Sequence, residues 1–91
     1  MAINVIVPTP LRQYAGGQRS VSVEGATVGE ALNALTAQYP DLGKQLFEGE
    51  HKLRSFVNVY RNDDDVRYLD GMNTTIGDRD ELSIIPAIAG G

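Results

Sequence analysis

The chain has no cysteine, no tryptophan and a single histidine, His51. The lack of cysteine excludes disulfides, thiolate metal sites, iron–sulfur clusters and cysteine nucleophiles, and it suits a reducing cytoplasm. His51 stands between Glu50 and Lys52 in a polar stretch, with no second histidine to share a metal, so it reads as a surface residue. Positive charge is also scarce. Lys plus Arg number 8 against 12 Asp plus Glu, for a net charge of −4. Nucleic acids and anionic membranes call for clustered positive charge, so neither is an expected partner. No apolar run approaches the roughly 18 residues that cross a bilayer. The opening "MAINVIVPTP" has no basic leader and reads as a first strand.

At 91 residues, 42% hydrophobic and 22% charged, the chain has the composition of one ordinary globular domain. A chain of this length buries about 60–65% of its unfolded surface, enough for one modest core. "INVIVP" alternates, placing Ile3, Val5 and Val7 on one face, and "RSVSVEG" does the same with Val21 and Val23. Between them "TPLRQYAGGQ" reads as a turn region, and the two strands as a hairpin. The clearest local signal is "TVGEALNALTAQYP". Thr27 and Glu30 form a capping box, in which hydroxyl and carboxylate each satisfy an orphan amide. Val28, Ala31, Leu32, Leu35 and Tyr39 then share one helical stripe, which predicts a helix over about 28–39 ended by Pro40. A short helical turn is expected around Leu42, Leu46 and Phe47. "FVNVYRN" and "DVRYL" read as a strand pair across an Asn-Asp turn, and "DGMNTTIGDRDE" as a long turn with one helical turn near Met72. "LSIIPAI" is the last strand, with Leu82 and Ile84 on one face. The pattern predicts a two-layer α+β domain over 1–91, four to five strands against one main helix. Tyr39, Phe47 and Phe56 are expected in its core.

Three groups invite a functional reading before the end of the chain. Asp63, Asp64 and Asp65 resemble part of a calcium loop, but Tyr68 and Thr74 stand where the sixth-position glycine and twelfth-position glutamate belong. A solvated hairpin turn fits better. Asp78 and Asp80 read as turn residues too, and either acidic cluster could dock a basic surface. Gly16-Gly17 lacks the spacing of a phosphate loop, and its neighbours Arg12 and Arg19 are a weak anion signal.

The sequence closes on "LSIIPAIAGG". A terminal carboxylate is ionised at neutral pH, and so is a nucleophile toward the α-phosphate of ATP. Glycines let backbone and incoming groups approach closely inside another enzyme's channel. Pro86 is expected to end the sheet ladder, so that residues 87–91 leave as a flexible tail. A frayed end with no task is the plain alternative.

Strand–strand–helix–strands ending in "GDRDELSIIPAIAGG" resembles the ubiquitin-like β-grasp sulfur carriers, the ThiS and MoaD type. The shared pattern is Gly77-Asp78, an apolar strand from Leu82 to Ile85, Pro86, and Gly90-Gly91. "FVNVYRNDDDVRYLDGMNT" resembles the actinobacterial branch that serves cysteine synthesis. The resemblance implies a β-grasp fold and a protein co-substrate, not an enzyme. It implies that a ubiquitin-activating-type enzyme adenylates the carboxylate of Gly91 using ATP. Sulfur then displaces AMP and leaves a thiocarboxylate, with Gly90, Ala89 and Ile88 as the reach into partner channels. The carrier itself would bind no cofactor or metal. A pyridoxal-phosphate cysteine synthase would accept the sulfur, and a metalloprotease would release the product; molybdopterin or thiamine pathways are other acceptors. Two other readings stand beside it: a protein modifier joined to lysines through Gly91, and an interaction domain whose glycines do nothing. Partner docking is expected on the sheet face opposite the helix, from among Ile6, Phe56, Tyr60 and Ile85, according to strand register.

Overall fold

A computed structural model describes residues 2–49 and 52–86. The strands β1 (Ala2–Ile6) and β2 (Ser20–Glu24) form the expected antiparallel hairpin, with Ile3 opposite Val23 and Val5 opposite Val21. All four valines and isoleucines of that pair of rows are buried, as the alternation requires. The connection is not a plain turn. Thr9–Ala15 is a 3₁₀ helix with proline in its first turn, where a missing N–H costs nothing. Gly16 and Gly17 stop it at φ of 65° and 79°, and the Gly17 amide donates to the Arg12 carbonyl. Proline and glycine signalled irregular chain there; both instead mark the start and stop of one helical segment.

Helix α1 (Val28–Gln38) begins where the capping pair put it. The Glu30 amide donates to the Thr27 hydroxyl, and the Glu30 carboxylate accepts from the Ala26 amide, one residue earlier than the standard box. Val28, Ala31, Leu32 and Leu35 are buried. Tyr39 is the C-cap and packs at the core's margin. Helix α2 (Pro40–Leu46) follows at once and buries Leu42 and Leu46. Arg54 closes its end, with Nε and Nη2 both donating to the Lys44 carbonyl.

The remaining strands are β3 (Val57–Arg61), β4 (Asp64–Asp65) and β5 (Glu81–Pro86). Among the described residues they complete a five-stranded sheet in the order β2-β1-β5-β3-β4. β5 runs parallel to β1 and antiparallel to β3, so the sheet is mixed and its last strand in sequence is central in space. Leu82 and Ile84 therefore lie in the middle of the core with Ile3, Val5, Val57 and Val59. Each such side chain contributes about 1.5–3 kcal/mol by burial. Pro86 is the last described residue of β5. It is part of β5, opposite Val57, because proline at a strand end loses only its N–H and keeps its carbonyl.

Two further expectations need correction. Of "DVRYL" only Asp65 is strand, the second residue of β4, after which Val66–Tyr68 turns as a 3₁₀ helix. Phe56 is 48% exposed, because it precedes the inward-facing Val57 by one residue and the side-chain period is two. Phe47 packs part-buried against the core as expected, and a 3₁₀ turn occupies Gly71–Asn73 around Met72.

Candidate functional site

The proposed carrier residue Gly91, its neighbours Gly90, Ala89 and Ile88, and also His51 lie outside the described residues. What the structure gives is the platform from which that end departs. β5 is hydrogen-bonded on both sides and pinned by Leu82 and Ile84, which are almost fully buried.

Register resolves the face opposite the helices. Ser83 is paired with Ile6 on one side and Tyr60 on the other, and Ile85 with Asn58. Their sequence neighbours Val5, Leu82, Ile84, Val57 and Val59 point into the core, so Ile6, Tyr60 and Ile85 share the outer face. Ile85 is 45% exposed, and Ile6 and Tyr60 are half-buried. Three of the four residues weighed for docking thus share this face with Ser83 between them. Ile85 sits one residue before the end of β5.

Start and end of β5 are treated differently by the chain. At its start, Asn62 takes positive φ (56°), a conformation asparagine tolerates better than most residues. Asn62 Nδ2 donates to Asp80 Oδ1 at 2.9 Å, and its Oδ1 accepts from the Glu81 amide at 3.1 Å. Asp80 Oδ2 accepts in turn from the Gly77 amide. The hairpin between β3 and β4 is thereby tied to the Gly77–Asp80 loop. Asp80 is a turn residue as expected, though one occupied by this network; Asp78 is exposed. The Asn62 and Gly77 donors hold the Asp80 carboxyl below its ordinary value of 3.8.

Asp65 departs from the solvated turn expected of it. It is buried, its carboxylate accepting from the Arg67 amide and from the Arg67 guanidinium at 3.0–3.3 Å. Those bonds lower the Asp65 pKa against the opposing effect of burial, and raise that of Arg67. Asp63 and Asp64 remain exposed. Asp65 and Asp80 both have folded-state pKa values below their unfolded ones, so their stabilisation is complete above about pH 4 and drains away as pH falls through the folded values. Denaturant melts taken from pH ~7 to ~2 should show stability falling most steeply below pH ~4. Asp80→Asn should lower stability at neutral pH and flatten that acid slope. An unchanged slope would assign the acid loss to other carboxylates.

The remaining sequence candidates are structural here. Arg12 Nε donates to the Val7 carbonyl, and the Gly16 and Gly17 amides serve the end of the 3₁₀ helix. Among the described residues no group of three metal-ligating side chains gathers, and no helix is long and apolar enough to cross a membrane. Sequence reasoning missed the segment beyond Asp65. Tyr68 is 85% exposed and Leu69 37%, on a turn that the Asp65–Arg67 clasp fixes. Their β-branched and aromatic surroundings predict a strand for both.

Comparison with known proteins bears on the whole chain. The ThiS family model matches residues 5–91. The "Sulfur carrier protein CysO" of Mycobacterium tuberculosis is 44% identical over the full length of both chains. "Small archaeal modifier protein 3" of Haloferax volcanii is 40% identical over 82% of this chain and 84% of its own. A chain in the crystal structure of the Amycolatopsis orientalis BexX/CysO complex superposes with a TM-score of 0.89 at 41% identity, covering 99% of this chain and 100% of that one. The sheet order, the parallel β1–β5 pair, the helix across one face and the match that runs through the closing glycines lead to one assignment: this chain belongs to the ThiS family and has its ubiquitin-like β-grasp fold.

Proposed function

We propose that the protein is a sulfur carrier that works through the carboxylate of Gly91. The observation that carries this is the family match that continues through residue 91, on a chain whose central strand leads directly into that end. In the proposed sequence a carboxylate oxygen of Gly91 attacks the α-phosphate of ATP in a ubiquitin-activating-type enzyme, and pyrophosphate leaves. A sulfide sulfur then attacks the acyl carbon, AMP leaves, and the product is a thiocarboxylate. Where the donor is a persulfide, a thiol reductant cleaves the remaining S–S bond. This chain supplies the carboxylate and its delivery, the partner supplies ATP and chemistry, and the protein is a co-substrate.

Each part of the fold has a task in that scheme. Ile88, Ala89 and Gly90 reach into the partner's channel, with glycine allowing close approach at the reacting end. Ile6, Tyr60 and Ile85 supply an apolar docking face beside the strand that carries the end. A pyridoxal-phosphate cysteine synthase is the acceptor we favour, with a metalloprotease releasing the product. The relatives named for CysO support that choice, as the 41%-identical chain seen in complex with BexX supports docking to a partner protein. The archaeal modifier relative supports a second reading, in which the activated Gly91 forms an amide with a lysine of a target protein.

The discriminating experiment supplies the purified chain, ATP and sulfide to its activating enzyme. Release of pyrophosphate together with one sulfur per chain supports the carrier. Adenylation followed only by thiol-resistant, higher-mass conjugates supports the modifier, and no pyrophosphate release overturns both.

A further inference from the structure

Ile85 on the outer sheet face, and Tyr68 with Leu69 on the turn after β4, are large apolar side chains left exposed in two parts of the chain. Such residues scattered singly need no explanation, whereas a continuous patch marks a contact site. Sheet register joins the two parts. Tyr60 stands directly opposite Asp65 in the β3–β4 pair, so the Asp65 side chain lies on the outer face as well. The Arg67 guanidinium grips that carboxylate through both Nε and Nη2. Asp65 first, then Tyr68 and Tyr60, raise the Arg67 pKa, which puts the guanidinium near both phenols. Arg67 thus stands at the edge of the sheet, bordering a cavity of about 280 Å³ beside Val59 and Val66 while reaching Tyr60. An unbroken row crosses the sheet and continues past its edge: Ile6, Ser83, Tyr60, the Asp65–Arg67 pair and Tyr68.

The far end of this row is fixed before anything binds it. The Asp65 carboxylate accepts from the Arg67 amide, and the Leu69 amide donates to the Val66 carbonyl, so the turn is closed twice. Side chains already held in place lose little entropy on association. Tyrosine and arginine are also the residues that most often carry an interface. The Asp65–Arg67 pair cancels its own charge, which leaves the exposed Asp63 and Asp70 to set the sign around the turn. Neither carboxylate has a partner among the described residues. A surface that fits here is therefore apolar at its centre and basic at its rim. The near end of the row lies beside Ile85, one residue before the end of β5, so a protein that receives the end of the chain meets this row first.

We propose that the activating enzyme docks along the whole row and not on the sheet face alone, taking Tyr68 and Leu69 into an apolar recess bordered by basic side chains. The inference rests on the carrier reading given above and adds the turn after β4 to its docking surface. That turn is remote from the reacting carboxylate. Its contacts are the same before and during the chemical step, so they act on KM and leave kcat alone.

Adenylation by the activating enzyme, read as pyrophosphate release against the concentration of the full chain, tests this. Tyr68→Ala should raise KM about tenfold at an unchanged kcat. Tyr68→Phe, which keeps the ring, should recover most of that loss. Asp63→Lys with Asp70→Lys should raise KM too, and should weaken its dependence on salt. Lys44→Gln, on the exposed side of α2, is the control and should leave both constants as they are. All four side chains are exposed, and a circular-dichroism melt of each variant verifies that it folds. No pyrophosphate from the wild-type chain overturns the carrier reading, and this inference with it. A wild-type KM in Tyr68→Ala, or a loss confined to kcat, overturns this inference alone. Normal adenylation of Tyr68→Ala followed by slow sulfur delivery to the acceptor enzyme overturns it likewise, and assigns the turn to that later partner.

Discussion

Deleting Gly91 is expected to abolish activation while leaving the fold as it is. The core is complete without it, since β5 is anchored by Leu82 and Ile84 and closes its described ladder at Pro86 opposite Val57. Thermal midpoints of the two proteins should therefore coincide. The carboxylate itself survives the deletion, on Gly90, but is drawn back by about 3.5 Å. A displacement of even about 1 Å from attack geometry costs roughly a hundredfold, so adenylation read as pyrophosphate release should fall by at least that. Gly91→Ala keeps the reach but adds a Cβ beside the reacting carbonyl, and should give a smaller loss. Wild-type adenylation by the shortened chain would place the chemistry elsewhere. It would also favour the reading in which the glycines have no task.

The second large effect belongs to the core. Leu32→Ala should destabilise the domain by about 2–5 kcal/mol, through lost burial and the cavity left behind. Leu32 is fully buried on the α1 stripe, in a single core built almost wholly of aliphatic side chains. In a domain of this size each kcal/mol shifts the melting temperature by roughly 4–8 °C, so a fall of about 10–30 °C is expected. Chemical denaturation should show a lower midpoint at an unchanged slope. A change under about 1 kcal/mol would mean that the helix is not seated on the sheet as described.

How much of this was legible in the sequence depended on whether local chemistry and tertiary packing agreed. α1 was legible because Thr27 and Glu30 announce its start, a single apolar stripe gives its phase, and Pro40 gives its end. β1, β2 and the buried face of β5 were legible because one side of the sheet is covered and the alternation is clean. "DVRYL" misled because valine, tyrosine and leucine suggest a strand. The Asp65 carboxylate instead captures the Arg67 amide and turns the chain away after two paired residues. That is a competition between side chain and ladder, which composition does not reveal. Phe56 misled because aromatic character argued for burial, whereas its one-residue offset from Val57 decides its face. "TPLRQYAGG" misled because proline and glycine punctuate a helical segment as readily as they interrupt one.

The candidate site divides along another line. The chemistry proposed for it, at Gly90 and Gly91, rests on resemblance and lies outside the described residues. Its platform was not legible, because assigning Ile6, Tyr60 and Ile85 to the outer face needs the pairing of Ser83 with strands about 20 and about 75 residues away. Tyr68 and Leu69 stayed hidden for the same reason that "DVRYL" misled.

The most direct measurement of the central claim is intact-mass spectrometry of the protein taken from its own cells, with fragmentation of the C-terminal peptide. Isolation should be fast and cold, and the same protein should be converted in parallel by its activating enzyme with ATP and sulfide. The account predicts that one oxygen is replaced by sulfur and that fragmentation assigns the change to Gly91, with Met1 and Met72 unoxidised. Gly91 carrying an ordinary carboxylate in the cellular sample and again after the enzymatic conversion would contradict it.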